Sequence, residues 1–505
     1  MLAVDAAAMR AVDAAAVARD GEVALMTRAG EAIAALIDRY ARERGPLVAI
    51  AGAGGNGGDA YAALASYGVG RDRIVYADPA ASGSAARRDA RARALAAGVE
   101  ERPLPPTAET LAGAALVLDG ILGANARLPL DPASAALCSL IATAGAPVLA
   151  LDVPTGVDPS TGALDPHAVH ALATIALGAP KRGTLLEGGR DAAGELWCAP
   201  LGMRESDAPA DGVPLRVTSA ADFTALLPHR AGESDKRSSG APLIIAGSGQ
   251  FPGAAVLCAL GAARSGAGYV TVAAPESAAA AIRAHLIEQV VVTYDERDPE
   301  AAVKTILDLT GRCDAIGIGP GLGLSEAFGT IVNGVLAGCA LPAVADASAL
   351  FHLAKRLPAY RDRSLVLTPH AGEFARLSGK RTIAEGERLS RLRAFIDEFG
   401  ITTLLKGAST LIGDRTDTFV NPTGTNALAT AGTGDVLTGM IATLLGQGLS
   451  PLDAARTGAY WHGLAGRAAQ RTRVRGVIAR DVAETLGPSS SVPNVAQGGF
   501  TALIA

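Results

Sequence analysis

Short apolar runs alternate with amphipathic stretches along most of this chain, and glycines stand where one gives way to the other. Residues 1–44 carry apolar positions three and four apart, which predicts helices. Leu47 to Ala51 is a continuous apolar run, the pattern of a strand covered on both faces. The loop Gly52-Ala53-Gly54-Gly55-Asn56-Gly57-Gly58-Asp59 follows, and then a helical stretch over residues 60–67. Leu116 to Asp119, Val148 to Asp152 and Ala173 to Leu177 repeat the short run, each leading into a glycine-containing turn. The same unit restarts at Leu243 with Gly247-Ser248-Gly249 and a helix from Pro252 to about Arg264. Further strands are predicted at residues 269–272, 315–318, 343–346 and 365–368. This alternation predicts the α/β class with mostly parallel sheets.

Residues 203–240 break the pattern. They lack strong periodicity, contain Pro209, Pro214 and Pro228, and end in a polar cluster from Arg230 to Gly240. They predict a junction with one short helix at residues 220–227. The expected organisation is a first domain over residues 1–210, a linker region at 211–240, a second domain at 241–490 and a flexible tail at 491–505.

At 505 residues the chain is too long for one ordinary core. A net charge of −5 offers no electrostatic reason to expect nucleic acid. The five cysteines show no CxxC spacing and suit small apolar positions in a reducing compartment. The N-terminus carries Asp5, Arg10 and Asp13 among its alanines, and it reads as an amphipathic helix without the apolar core of a signal peptide. No apolar run is long enough to span a bilayer. A cytoplasmic enzyme acting on small molecules, without nucleic-acid or membrane partners and forming a homo-oligomer, is the expectation.

The candidate chemistry sits at the loops. In residues 426–439, Gly432 and Gly434 precede Asp435 and an apolar run of helical spacing. The two glycines would let the backbone turn tightly, leaving N–H groups open to an anion at a helix N-terminus. Asp435 would then stand where a phosphoryl group arrives, either as a base toward an attacking hydroxyl or as a plain helix cap. The loop at Gly52, Gly54 and Gly57 formally fits GxGxxG, with Asp78 ending the next apolar run, so a dinucleotide-binding reading stays open. Asp59 argues against it, because a carboxylate there would face the pyrophosphate. Successive strands deliver Asn56 and Asp59, Asp119, and Asp152 toward one sheet edge, where open α/β sheets bind ligands. Oxygen donors from Asn56, Asp119 and Thr155 suit a hard cation. Lys181 ends another strand and could bind an anion. In the second half Asp346, His370 with Glu373, and Lys406 to Thr410 also stand at strand ends. His370 alone is as well read as a cap, and the Lys406 stretch as a hairpin turn. No GxxxxGK[ST] loop is present.

These motifs resemble a known family. The first 200 or so residues are similar to the N-terminal domain of the YjeF family, the NAD(P)H-hydrate epimerases. The glycine–asparagine loop, Asp119-Gly120-Ile121-Leu122-Gly123, Asp152-Val153-Pro154-Thr155-Gly156-Val157-Asp158 and Gly178-Ala179-Pro180-Lys181-Arg182-Gly183 stand in the family's order and spacing. The resemblance implies a Rossmann-like three-layer sandwich. It further implies that Gly55, Asn56, Gly57, Gly58 and Asp59 hold the substrate, and that Asn56, Asp119 and Thr155 bind K⁺. Gly123, Ala124, Asn125, Ala126, Arg127, Leu128, Pro129 and Asp152 would contact the hydrate, with Asp152 as acid/base. Gly55 departs from the family's usual asparagine, and Thr155 from its usual serine.

Residues 242–486 resemble the ribokinase-like α/β fold and, within it, the NAD(P)H-hydrate dehydratase domain. Gly432-Thr433-Gly434-Asp435 is shared by many ribokinase-like kinases. The narrower match is the set Gly319-Pro320-Gly321-Leu322-Gly323, Asp346-Ala347-Ser348-Ala349-Leu350, Leu367-Thr368-Pro369-His370-Ala371-Gly372-Glu373 and Lys406-Gly407-Ala408-Ser409-Thr410. The resemblance implies that Ala254, Gly321 or Gly323, His370 and Asp435 contact the hydrated nucleotide. Lys406, Gly407, Ala408, Ser409, Thr410 and Gly434 would bind ADP, with Mg²⁺ sharing the phosphate charge and Asp435 as catalytic base. The implied function is repair of NADH and NADPH hydrates (NADHX and NADPHX): epimerisation of R and S forms, then ADP-dependent dehydration of the S form, giving AMP and phosphate. An alternative keeps the second domain as a small-alcohol kinase fused to a non-catalytic nucleotide-binding module.

Overall fold

The computed structural model describes residues 1–68, 70–209, 214–228, 239–361, 363–473, 475–490, 496–497 and 500–504. The chain divides into two compact units, Met1–Val217 with Asn494–Ala505, and Thr218–Pro493.

In the first unit the parallel strands run in the order Glu195–Ala199, Ala173–Leu177, Val148–Leu151, Leu116–Gly120, Leu47–Ala51, Arg73–Ala77, Glu100–Pro103. The continuous apolar runs are explained by the two cores that they serve. Leu47, Ala49, Ala51, Leu116 and Leu118 pack on one face with residues of helices Glu22–Tyr40, Gly55–Ser66 and Ala85–Ala96. Val48, Ile50, Val117 and Val148 pack on the other, with helix Pro132–Ala144. Because side chains alternate across a strand, both faces of each central strand are buried. One edge strand carries no such run. Glu100–Pro103 is polar and largely solvent-facing, which a strand with one neighbour tolerates. The tail was expected to be flexible; instead Phe500–Ile504 pairs antiparallel with Glu195–Ala199, Thr501 opposite Cys198.

In the second unit the order is Thr418–Asn421, Thr410–Gly413, Thr402–Leu405, Leu365–Leu367, Ala343–Ala345, Ala315–Ile318, Pro242–Ile245, Thr271–Pro275, Val290–Tyr294. The strands from Thr402 onward to Val290 in that order pair in parallel. Thr410–Gly413 returns antiparallel on Thr402–Leu405, so residues 406–409 form the turn of a hairpin. The short helix expected near residue 220 spans Ala220–Leu226, and its fully buried Phe223 stacks on Tyr460 and meets the edge of Trp461. The polar cluster at residues 230–238 lies outside the described residues. All five cysteines are free and buried. Among the described residues no helix is long and apolar enough to cross a membrane.

Candidate active sites

In the first unit the loops at the carboxyl ends of three adjacent strands converge. Asp119, fully buried, closes the strand Leu116–Gly120. Its Oδ1 accepts from the Thr155 hydroxyl at 2.7 Å and its Oδ2 from the Thr155 N–H at 2.8 Å. The Thr155 oxygen in turn accepts from Leu122 N at 3.1 Å. Asn56 stands in the first turn of helix Gly55–Ser66 and donates through Nδ2 to the Leu122 carbonyl at 2.9 Å. That bond fixes the amide's orientation, and leaves Asn56 Oδ1 buried with no partner among the described residues. Burial lifts the Asp119 carboxyl above its ordinary value, against the lowering by its bonds to Thr155 and Ile121. An orphaned amide oxygen, a buried carboxylate and a hydroxyl form an all-oxygen donor set of one formal negative charge, which fits a hard monovalent cation.

Asp152 follows the strand Val148–Leu151 with φ 68, a backbone region that costs a non-glycine residue energy and concentrates at functional sites. Its Oδ2 accepts from Ala124 N at 3.1 Å, and its Oδ1 from Leu177 N at 3.1 Å. Lys181, 1% exposed, donates to the same Oδ1 and to the Leu177 carbonyl at 2.7 Å. These groups border a cavity of about 520 Å³. Gly55, Asn56, Asp59, Gly123, Ala124, Asn125, Ala126 and Asp152 line it; Arg127, Leu128 and Pro129 do not. Gly57 and Gly58 serve close packing: a Cβ at Gly57 would stand 2.0 Å from the Gly52 carbonyl oxygen, and one at Gly58 would stand 2.5 Å from the Met26 methyl. The cavity also holds Asp13, in sequence one charge among others on an amphipathic helix. Asp13 lies four residues after buried Met9 and three before buried Ala16, so a charge on the buried stripe was the available signal. Burial pushes Asp13 up to about 6, with Lys181 lowering it and Asp152 raising it.

In the second unit the loops again gather beyond the parallel strands. Asp346, 2% exposed, follows Ala343–Ala345. Its Oδ1 accepts from Lys406 Nζ at 2.7 Å and its Oδ2 from the Thr438 hydroxyl at 3.0 Å. Helix Thr433–Gly446 opens after Gly432, whose φ of 90 makes the turn. Gly434 lies inside the first helical turn, where a Cβ would stand in ordinary contact, 3.4 Å from Lys406 Nζ and 3.5 Å from Asp346 Oδ2. Asp435 is pushed up to about 7, first by burial and then by Asp346, with Lys406 lowering it. Two close crossings hold this helix on helix Pro252–Arg264, which carries Ala254. A Cβ at Gly439 would stand 1.9 Å from the Cys258 oxygen, and one at Gly261 would stand 2.3 Å from the Val436 oxygen. Gly321, φ 69, abuts Ala254, and Gly323 N donates to Ser348 Oγ at 3.1 Å. His370 caps helix Ala371–Leu377: its Nδ1 accepts from Gly372 N at 3.0 Å and Glu373 N at 3.3 Å. In the hairpin turn the Thr410 hydroxyl donates to the Gly407 carbonyl at 2.9 Å, and Ser409 Oγ is buried with no partner among the described residues.

Two family models match these regions, one described as YjeF-related protein N-terminus over residues 22–183 and one as NAD(P)H-hydrate dehydratase over residues 242–488. A bifunctional NAD(P)H-hydrate repair enzyme of Pyrobaculum aerophilum is 34% identical over 476 residues, covering 92% of each chain. The chain belongs to the bifunctional NAD(P)H-hydrate repair enzymes. A second relative of that name, from Mycobacterium leprae, is 34% identical over 471 residues, covering 90% of this chain and 91% of its own. Among solved structures, a ribokinase-like superfamily protein from Enterococcus faecalis V583 aligns with a TM-score of 0.50 at 28% identity, covering 55% of this chain and 95% of that one. This member of the repair enzymes therefore joins an α/β unit of the YjeF N-terminal kind to a ribokinase-like one.

Proposed function

We propose that this chain repairs hydrated nicotinamide cofactors in two steps, interconverting the R and S hydrates of NADH and NADPH in the first unit and dehydrating the S form at the expense of ADP in the second. The observation that carries this reading is a chain-long likeness to the repair enzymes that takes in both an acid-lined cavity and a raised acid at a helix N-terminus.

In the first unit the hydrated ring occupies the cavity. Gly55, Asn56, Asp59, Gly123, Ala124, Asn125 and Ala126 hold it, and Asp152, held by Lys181, exchanges a proton with it. Asn56, Asp119 and Thr155 would hold K⁺, which supplies positive charge beside a buried carboxylate when bound. In the second unit Asp435 accepts the proton of the ring hydroxyl as the terminal phosphoryl group of ADP moves to its oxygen, leaving AMP; loss of phosphate together with a proton from the adjacent ring carbon then restores the dihydronicotinamide double bond. The N–H groups at the start of helix Thr433–Gly446 favour the transferring phosphoryl group. Ala254, Gly321, Gly323 and His370 border the hydrate, and Lys406, Gly407, Ala408, Ser409, Thr410 and Gly434 the nucleotide. Mg²⁺ would arrive largely on the nucleotide's own phosphates. Asp346 already serves Lys406 and Thr438, and this ion is commonly held by one or two carboxylates plus substrate oxygens. Buried free cysteines suit a reducing cytoplasm.

The test is recovery of NADH absorbance from racemic NADH hydrate with ADP, ATP or no nucleotide. Complete recovery with ADP, faster than spontaneous epimerisation, is expected. Recovery that stops near half removes the epimerase assignment. No recovery with either nucleotide, together with phosphorylation of a small alcohol, favours the kinase alternative.

A further inference from the structure

Among the described residues lining the first unit's cavity, Lys181 is the one cation, and it is bonded to Asp152 and the Leu177 carbonyl. Three more carboxyls face the same space. Asp13 comes from helix Ala6–Asp20, Glu22 from helix Glu22–Tyr40, and Asp59 from helix Gly55–Ser66. Arg87, on the helix packed beside Asp59's, is absent from the cavity lining: it donates through Nε and Nη1 to the Gly52 and Ala81 carbonyls at 3.1 and 2.8 Å and lies over the Tyr61 ring, and its Nη2 is buried with no partner among the described residues. Carboxyls crowded around one committed cation cannot all ionise at low cost, so a proton is retained among them. Asp59 is the group lifted well above the ordinary range, first by burial, then by Asp152, with Asp13 and Glu22 adding to the lift and Lys181 opposing it.

We propose that Asp59 rests protonated and is the general acid of epimerisation, giving its proton to the ring hydroxyl of the hydrate, with Asp13 as the positioning residue that keeps the proton there. This rests on the epimerase reading above. Water added to a dihydropyridine enamine leaves the hydroxyl on the carbon bonded to the ring nitrogen. Asp59 protonates that hydroxyl, the C–O bond breaks, and the nitrogen lone pair forms C=N⁺ as water departs. Water then adds to the opposite face, the nitrogen regains its pair, and the Asp152 carboxylate takes the released proton. The cycle closes when that proton returns to Asp59. Atoms, charge and electrons balance without an added oxidant or reductant. Two acids held in different protonation states by their surroundings can thereby serve as donor and acceptor.

Epimerisation is read without ADP, by chiral separation of R and S NADH hydrate over time, as a function of pH. Asp59→Asn should lower kcat by about 10²–10⁴-fold with KM changed by no more than about threefold, and Asp59→Glu should recover part of the loss. Asp13→Asn removes a negative charge, so Asp59 releases its proton more readily, and the alkaline limb should move down by about one pH unit. Thermal melting of each variant separates loss of catalysis from loss of fold. Wild-type kcat in Asp59→Asn, or an unmoved alkaline limb in Asp13→Asn, overturns the assignment. A wild-type protein that does not interconvert R and S hydrates overturns the epimerase reading itself.

Discussion

Asp435 needs to be ionised to accept a proton, yet its surroundings favour the neutral form. With its value pushed up to about 7 by burial and then by Asp346, kcat/KM for dehydration should fall as pH drops through about 7 in the free enzyme. The stability sign follows from the same shift. The folded value lies above the ordinary 3.8, so the group's contribution to stability is fully present below about pH 4, falls progressively as pH rises from there, and is fully lost above about pH 7. Asp435→Asn should therefore abolish ADP-dependent dehydration yet raise Tm, with the gain growing between those limits and flat beyond. A calorimetric pH series on both proteins checks it. At Thr155 the prediction is destabilising. Thr155→Val strands Leu122 N and removes a donor to Asp119, which should cost about 1–3 kcal/mol and abolish any K⁺-dependent rise in Tm. A K⁺ titration of melting reads both effects.

At the scale of elements, glycines bring helices Thr433–Gly446 and Pro252–Arg264 closer than any side chain allows. Gly432 supplies a turn through its positive φ, whereas Gly439 supplies contact. Gly439→Ala must push helix Thr433–Gly446, with Asp435, off helix Pro252–Arg264, with Ala254. Overpacking of this kind costs about 1–3 kcal/mol. Dehydration should fall with it, because a misplacement of about 1 Å is worth about 10²-fold in rate. Steady-state dehydration and urea unfolding measure the two effects, and unchanged kcat would count against the helix crossing as the device that sets Asp435.

At the scale of the molecule the reading places two activities on two separate units. Asp152→Asn alone should leave racemic hydrate about half recovered with ADP, and Asp435→Asn alone should recover none. An equimolar mixture should return to complete recovery, since the hydrate released by one protein is substrate for the other. Failure of the mixture while wild type succeeds would mean that the hydrate must pass within one chain.

The α/β class, the central strands and the loops that carry Asn56, Asp119, Asp152, Asp346, His370, Lys406 and Asp435 are legible in the order of residues alone. Local periodicity sets those pieces, and parallel sheets turn their carboxyl ends to one edge. The edge strand Glu100–Pro103 is not legible because one neighbour suffices for it and its residues stay polar. Which acid meets which partner is set by the folded packing. Lys406 and Thr438 reach Asp346 from 60 and 92 residues away, Lys181 is bonded to Asp152, and Asp13 enters the cavity from an amphipathic helix whose own pattern does not say what its buried face meets. Such pairings depend on how whole elements pack, which a period of two or 3.6 residues does not encode.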